Sequence, residues 1–159
     1  MQSEEFGLKT AMLKNQWLGV YNGYVGLPKN HMLFGLHYDI INESIDVHGG
    51  LTWSADHLPN QQPDGLWWVG FDTAHAGDVV PGYDALPLEI RQKMEQFAKL
   101  FVAATFGCSP DEVGDIDHSE DEFRGANFAA SEVSYLAFQL AGYSVEKLLT
   151  HKGSPIDFA

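Results

Sequence analysis

The sequence predicts an α+β fold in a single domain, with an antiparallel β-sheet from the N-terminal half and two or three helices packed on it from the C-terminal half. Apolar runs bounded by glycine and proline concentrate in residues 16–80, whereas residues 86–150 carry apolar side chains at helical spacing. Strands followed by helices, rather than alternating with them, are typical of this class. The 159 residues suit one domain, and residues 153–159 are expected to form a loose tail.

The first predicted strands lie in residues 16–27, where aromatic and β-branched side chains surround Asn22 and Gly23. Both residues tolerate positive φ, so this segment is either a hairpin that turns at this pair or one long strand bent at its glycines. Residues 28–43 contain proline, asparagine and glycine, and they predict a loop.

Two further strands are predicted on either side of a loop. Residues 45–53 form a strand interrupted at Gly49 and Gly50, because paired glycines indicate a bulge or a close backbone approach. Residues 54–65 hold two prolines and predict an exposed loop. Residues 66–71 are almost continuously apolar, which predicts a central strand covered on both faces.

The second half predicts two long helices and a short one. The first opens at Leu86-Pro87 and ends at Gly107. Its predicted buried stripe is Ile90, Met94, Phe97 and Phe101. A capping box at residues 109–112 starts the short helix, and acidic, irregular residues follow from 115 to 125. Residues 126–141 form the last long helix, with a turn or two more expected in 144–150. Its inward residues are predicted to be Val133, Leu136, Ala137 and Leu140.

The chain is strongly acidic, with 22 acidic residues against nine basic ones and a formal net charge of −13. Such a surface repels phosphate backbones and anionic membranes, so direct nucleic-acid binding is not expected. The charge is explained either by solubility alone or by a basic protein partner. Cys108 is the single cysteine, which excludes a disulfide within the chain and a cysteine-rich zinc site. With no signal-like N-terminus and no apolar run of membrane-spanning length, the sequence predicts a cytoplasmic protein.

The most informative polar residues follow the predicted central strand. Asp72, His75 and Asp78 lie three residues apart and could converge on a ligand. Carboxylates with an imidazole suit a divalent metal ion, and they also suit acid–base catalysis in which a carboxylate orients the histidine. The alternative is structural: Asp72 caps the turn, His75 bonds a carbonyl and Asp78 shapes a further turn.

A second candidate group is His48 with Gly49 and Gly50, which could place an imidazole beside open space. The alternative is a core histidine next to a bulge. If the two apolar strands pair, His48 approaches Asp72 or His75. The predicted catalytic residues are therefore His48, Asp72 and His75, and the predicted metal ligands are Asp72, His75 and Asp78.

Aromatic side chains surround these segments, and an aromatic pocket with few polar groups suits planar ligands such as nucleobases. Tyr24 and Trp53 are the predicted ligand-facing rings, although most aromatics in a sheet protein belong to the core. Gly49 and Gly50 would allow close ligand approach. Lys29, which lies in a loop with two histidines, could meet a phosphate or could be an exposed loop residue without a role.

Several of these motifs together resemble a family of small uncharacterised proteins of phages and prophages. The resemblance covers roughly residues 20–80, through the motifs Gly23-Tyr-Val-Gly-Leu-Pro28, Val47-His-Gly-Gly-Leu-Thr52 and Trp67-Trp-Val-Gly-Phe-Asp72 with its continuation to Asp78. It implies a phage-linked accessory role in the host cytoplasm, such as counter-defence, and no particular reaction. The family pattern often has a cysteine where this chain has Thr73, which argues against thiol chemistry there.

The sequence therefore supports three hypotheses for function. The first is an accessory protein that binds a small nucleotide-like ligand in the His/Asp pocket and hydrolyses it, with a divalent ion held there or with His48 as general acid/base. The second is an acidic protein that inhibits a basic host factor without catalysis. The third is a structural or assembly role in the virion. A small molecule or a host protein is thus the expected partner.

Overall fold

The computed structural model describes residues 1–75, 77–115 and 121–143, and it shows an α+β fold with a five-stranded antiparallel sheet. The strands are β1 (Gln2–Glu5), β2 (Leu8–Lys14), β3 (Tyr21–Leu27), β4 (Trp53–Ala55) and β5 (Trp67–Phe71). Their order in the sheet is β1-β2-β3-β5-β4. The helices are α1 (Tyr38–Asn42), α2 (Leu88–Phe106) and α3 (Ala126–Ala141). The predicted fold class is confirmed.

The sheet begins with a hairpin that the sequence analysis missed. β1 and β2 pair in antiparallel register from Gln2–Ala11 to Glu5–Leu8. The intervening Phe6 and Gly7 both have positive φ, at 53° and 77°, which is the conformation of the tight two-residue turns that suit the twist of a hairpin. Phe6 accepts this strained backbone while its ring packs edge-on against Phe138, with 5.6 Å between centroids.

The predicted hairpin over residues 16–27 is wrong in its turn. Asn22 and Gly23 lie inside β3, where Asn22 pairs with Leu13 and Gly23 pairs with both Met12 and Phe71. The turn lies earlier, at residues 15–20, where the Asn15 side chain accepts hydrogen bonds from the backbone N–H groups of Trp17 and Leu18, both 2.9 Å. These side-chain bonds take up backbone N–H groups that would otherwise pair with a neighbouring strand, so they favour a turn at this point.

β5 occupies an interior position of the sheet, as its apolar run predicts. It pairs with β3 on one side and β4 on the other, and its residues from Trp68 to Phe71 are buried. Two apolar clusters cover its two faces. The larger one joins Val25, Val69 and Phe71 to α3, and the smaller one joins Trp68 to Leu58 on the opposite face.

α3 is the helix that covers the sheet, and its four predicted inward residues are all buried. The helix ends at Gly142, as expected. The last turn of α3 also receives His31, whose Nε2 lies 2.8 Å from the carbonyl oxygen of Leu140 while its Nδ1 accepts the Leu33 N–H. Both nitrogens of His31 are therefore occupied by structural bonds, one to α3 and one within the predicted loop 28–43. This loop also contains the short helix α1.

The predicted buried stripe of α2 is wrong. Ile90, Phe97 and Phe101 are 42%, 75% and 59% exposed, whereas Ala103 on another side of the helix is buried. The helix packs chiefly against a 3-10 turn, Pro110–Glu112, which the predicted capping box opens. Periodicity reports that a helix has an apolar side but not which neighbour covers it. The C-cap at Gly107, with a φ of 68°, is confirmed.

None of the helices in residues 1–75, 77–115 and 121–143 combines the length and the apolar character that a membrane span needs. The extra turn predicted for residues 144–150 and the tail at 153–159 lie outside the described residues.

Candidate functional site

The site forms around a loop that the sequence analysis took for a strand. Residues 45–52 make no strand, because Gly49 and Gly50 both have positive φ, 67° and 81°, and turn the chain away from the ladder. Side chains of α3 replace the missing strand partner. Gln139 accepts the Asp46 N–H at 2.9 Å and donates to the Asp46 carbonyl at 2.6 Å, and Glu132 accepts the His48 N–H at 2.8 Å. These bonds hold His48 rigidly over the start of α3.

Asp78 is the centre of the site, with a side chain that is only 1% exposed. Its Oδ2 lies 2.7 Å from His48 Nε2 and accepts the backbone N–H of His75 at 3.1 Å. Its Oδ1 accepts the Arg124 Nε–H at 3.2 Å. A carboxylate buried this deeply requires such partners, because an unpaired charge in an apolar interior is strongly destabilising. Arg124 also pairs with Glu122 at 2.6 Å.

The His75 ring lies beside the hydrogen bond between His48 and Asp78, and one of its two nitrogens has no hydrogen-bond partner. Its Nδ1 is buried without a hydrogen-bond partner, 3.7 Å from both Asp72 Oδ1 and Asp78 Oδ2. The His48 and His75 rings meet edge to face, with centroids 5.4 Å apart. Gly49 makes this approach possible, since a Cβ at that position would overlap the His75 ring. A buried nitrogen that lacks a partner is uncommon and calls for an explanation such as a bound ion or water.

Asp72 stabilises the turn that carries His75, in agreement with the alternative in which this residue has a structural role. Its Oδ1 accepts the Ala74 N–H at 3.0 Å, and its Oδ2 accepts the Thr52 hydroxyl at 3.0 Å. Thr73 is fully buried and bridges to β3, accepting the Tyr21 N–H and donating to the Tyr21 carbonyl. Both oxygens of Asp72 are thus engaged, and this residue positions the turn that carries His75.

His48, His75 and Asp78 form a possible metal site, since one ligand atom from each lies within 4.8 Å of the others. Two imidazoles and a carboxylate are a donor set of catalytic zinc and non-haem iron sites that keep a coordination position open. The predicted ligand set had Asp72 in the place of His48. For His48 and Asp78 to bind one ion at about 2.1 Å, their 2.7 Å separation must widen to about 3.0–3.4 Å, which is a small side-chain adjustment.

A solvent-open cleft of about 420 Å³ lies in front of His48. Its lining is Asp46, Val47, His48, Gly49, Arg124, Phe128, Glu132 and Tyr135. The volume falls in the range of small-molecule sites. Asp72, His75 and Asp78 are not among the lining residues, so His48 and Arg124 link the cleft to the buried carboxylate of Asp78.

The predicted ligand-facing side chains lie elsewhere. Tyr24 is 3% exposed in the small cluster on the far face of the sheet, and Trp53 packs against that cluster beside His57. Lys29 is exposed after β3. Of the two glycines, Gly49 lines the cleft, whereas Gly50 packs against the Asn42 side chain. Gly49 is thus the one predicted ligand-binding residue at the cleft, and the roles of Tyr24, Trp53, Lys29 and Gly50 stay predictions without support from its geometry.

Burial raises the pKa of the Tyr24 hydroxyl above its usual value, and the charge of Asp72 adds to this rise while a bond from Asn22 opposes it. The unfolded chain therefore loses this proton at lower pH than the folded chain. Stability should fall as the pH rises above about 10, the ordinary tyrosine pKa. In urea titrations at about pH 9–11, we expect the free energy of unfolding of Tyr24→Phe to fall less with pH than that of the wild type. Tyr135→Phe, which changes a half-exposed ring, should keep the wild-type pH dependence. Equal slopes in both variants would contradict this assignment.

The sequence analysis did not identify Phe128, Glu132 and Tyr135 as site residues. They recur at positions i, i+4 and i+7 of α3, so they form one face beside the buried stripe. That spacing was a usable signal. Arg124 stacks over Phe128, with 4.6 Å from the guanidinium carbon to the ring centroid.

No protein family model matches the chain, and no curated protein or solved structure is significantly similar to it. The resemblance to phage proteins therefore stays a prediction.

Proposed function

We propose that the chain binds a first-row divalent metal ion through His48, His75 and Asp78 and uses it to hydrolyse a small, nucleotide-like phosphate ester in the adjacent cleft. The observation that carries the proposal is the unpartnered, buried Nδ1 of His75, 3.7 Å from the Asp78 carboxylate that also holds His48. Held by these three residues, the ion would leave a coordination position for water and would lower the pKa of that water toward 7, so no separate base would be required. The water oxygen would bond to phosphorus, the bond from phosphorus to the ester oxygen would break, and the ester oxygen would leave with the proton that the water gave up.

The charges of the cleft support a metal-dependent ligand. Asp46 and Glu132 line it together with a single guanidinium, that of Arg124, which is already paired with Asp78 and Glu122. Without an added cation this surface repels phosphate. A divalent ion beside His48 would supply the missing positive charge, and the half-exposed Tyr135 ring offers a stacking surface for a base.

The test is metal binding by the untagged protein, followed by ligand binding. We expect one equivalent of Zn²⁺, Co²⁺ or Mn²⁺ in calorimetric titrations, bound in part through the His48 Nε2 that otherwise pairs with Asp78. Metal at 100 times its dissociation constant should raise the free energy of unfolding by about 2.7 kcal/mol. Nucleotides should shift the melting temperature and release phosphate only when the metal is present.

His75→Gln should weaken metal binding about 100-fold or more, since it removes a direct ligand. His57→Gln is the matched control, because His57 is more exposed and its ring bonds the neighbouring Asp56. Absence of saturable metal binding in the wild type, or equal affinity in the two variants, would refute the metal site. Metal binding without any nucleotide effect would leave a metal site and refute the substrate class.

A second candidate follows from the 2.7 Å bond between His48 and the buried Asp78, because a carboxylate that orients a histidine is a general acid/base arrangement. If His48 acts as a general acid/base, hydrolysis would continue after divalent metal ions are removed with a chelator. His48→Gln would abolish this activity, whereas His75→Gln would retain it. The phage-linked accessory role and host-cytoplasmic location suggested by the sequence motifs belong to either version of this proposal.

A further inference from the structure

The outward face of α2 carries an apolar seam that is independent of the cleft. Its large side chains are Ile90, Phe97, Leu100 and Phe101, with exposures of 42%, 75%, 49% and 59%. Isolated exposed apolar residues are ordinary, but four on one helical face form a contiguous patch, and such patches mark interaction sites.

The spacing of the seam identifies the shape that would cover it. Three of the four large residues, Ile90, Phe97 and Leu100, lie on one line with the smaller or polar Lys93 and Ala104. The five residues follow one another at alternating steps of three and four, the spacing with which helices pack in coiled coils, and Phe101 lies beside this line on the same face. α2 contains 19 residues, so the seam runs along a rod of about 28 Å. The partner surface is therefore another helix with the same repeat.

We propose that the occupant is the α2 helix of a second copy of this chain, packed antiparallel to form a twofold dimer. A twofold axis that passes between Phe97 and Leu100 places Phe97 of one copy opposite Leu100 of the other copy, and Leu100 of the first opposite Phe97 of the second. The same axis places Ala104 opposite Lys93, where the small side chain leaves room for the lysine stem. The seam is thus complementary to itself, as an isologous interface must be.

Charge and area agree with self-association. α2 carries three basic residues, Arg91, Lys93 and Lys99, against the acidic Glu89 and Glu95, a balance of +1 in a chain of −13. Because each chain is strongly acidic overall, the electrostatic repulsion between two copies is smallest where the contacting surface carries no net negative charge. The seam exposes about 400 Å² of apolar side chain, since each phenylalanine contributes up to about 200 Å² when uncovered. At an apolar share of about 60%, the dimer would bury about 1,300 Å² in total, the lower end of stable interfaces.

The decisive measurement is the mass of the purified protein by light scattering or sedimentation, under reducing conditions because Cys108 is exposed. We expect twice the monomer mass of 17.6 kDa, about 35 kDa, at about 10–200 µM protein. Phe97→Glu should give a monomer of 17.6 kDa with unchanged circular dichroism, since the side chain is exposed. Lys93→Leu should tighten the dimer about tenfold or more by replacing the charged residue of the seam.

Phe106→Glu is the matched control, because Phe106 is 79% exposed on the same helix but points about 180° away from Phe97. It should remain dimeric. A wild-type protein that is monomeric at the highest concentration overturns the proposal, as does a dimer that Phe97→Glu and Phe106→Glu weaken equally. Recovery of a heterologous helical partner by a monomeric wild type would likewise exclude the second copy as the occupant. None of these residues touches the His48 site, so metal binding should be unaffected by all three variants.

Discussion

Asp78→Asn should lower the free energy of unfolding by about 3 kcal/mol, because three donors converge on a carboxylate that is 1% exposed. The amide of asparagine has one acceptor oxygen. Its NH₂ group must therefore turn toward His48, the His75 N–H or Arg124, each of which donates in the wild type. Urea denaturation at neutral pH measures the loss directly.

The matched control for this variant is Asp39→Asn, which removes a carboxylate that is 71% exposed and pairs with the half-exposed His37. Surface pairs of this kind contribute little, so the change should stay below about 0.5 kcal/mol. If Asp78→Asn were also that mild, Asp78 could not be the buried centre that orders the two histidines.

Gly49→Ala should disrupt both the fold and the site, with a loss of about 3 kcal/mol in unfolding free energy. An alanine at a φ of 67° has an unfavourable left-handed backbone, and its Cβ would also overlap the His75 ring. His75 must then move away from His48 and Asp78. We therefore expect the stabilisation by divalent metal to disappear together with part of the stability.

Gly35→Ala separates the effect of the left-handed backbone from the effect of the overlap with the His75 ring. Gly35 has a φ of 81°, but a Cβ there meets nothing within 4 Å, so this variant should lose only the backbone contribution of about 1 kcal/mol. It should keep its response to metal. Equal losses in both alanine variants, or an intact metal response in Gly49→Ala, would show that the approach of Gly49 to His75 is not what assembles the site.

The strands β3 and β5 and the helix α3 could be predicted because local patterns and tertiary burial agree there. The apolar run of β5 becomes an interior strand, and the inward stripe of α3 becomes the main core. The β1–β2 hairpin was missed because β1 is polar and almost wholly exposed, and because the turn uses Phe6, a residue that seldom adopts positive φ. The stripe of α2 was placed inward because periodicity carries no information about what lies opposite.

The sequence by itself determined the fold class, the position of the last helix and the choice of His48, His75 and Asp78 as residues worth examining. Only the tertiary structure decided their geometry: Asp78 is shared between His48 and Arg124, Asp72 supports the turn, and Tyr24 and Trp53 lie on the far face of the sheet. The physical reason is separation along the chain. His48 is 30 residues from Asp78 and 84 from Glu132, so contacts of this kind are set by packing of α3 on the sheet rather than by any local pattern.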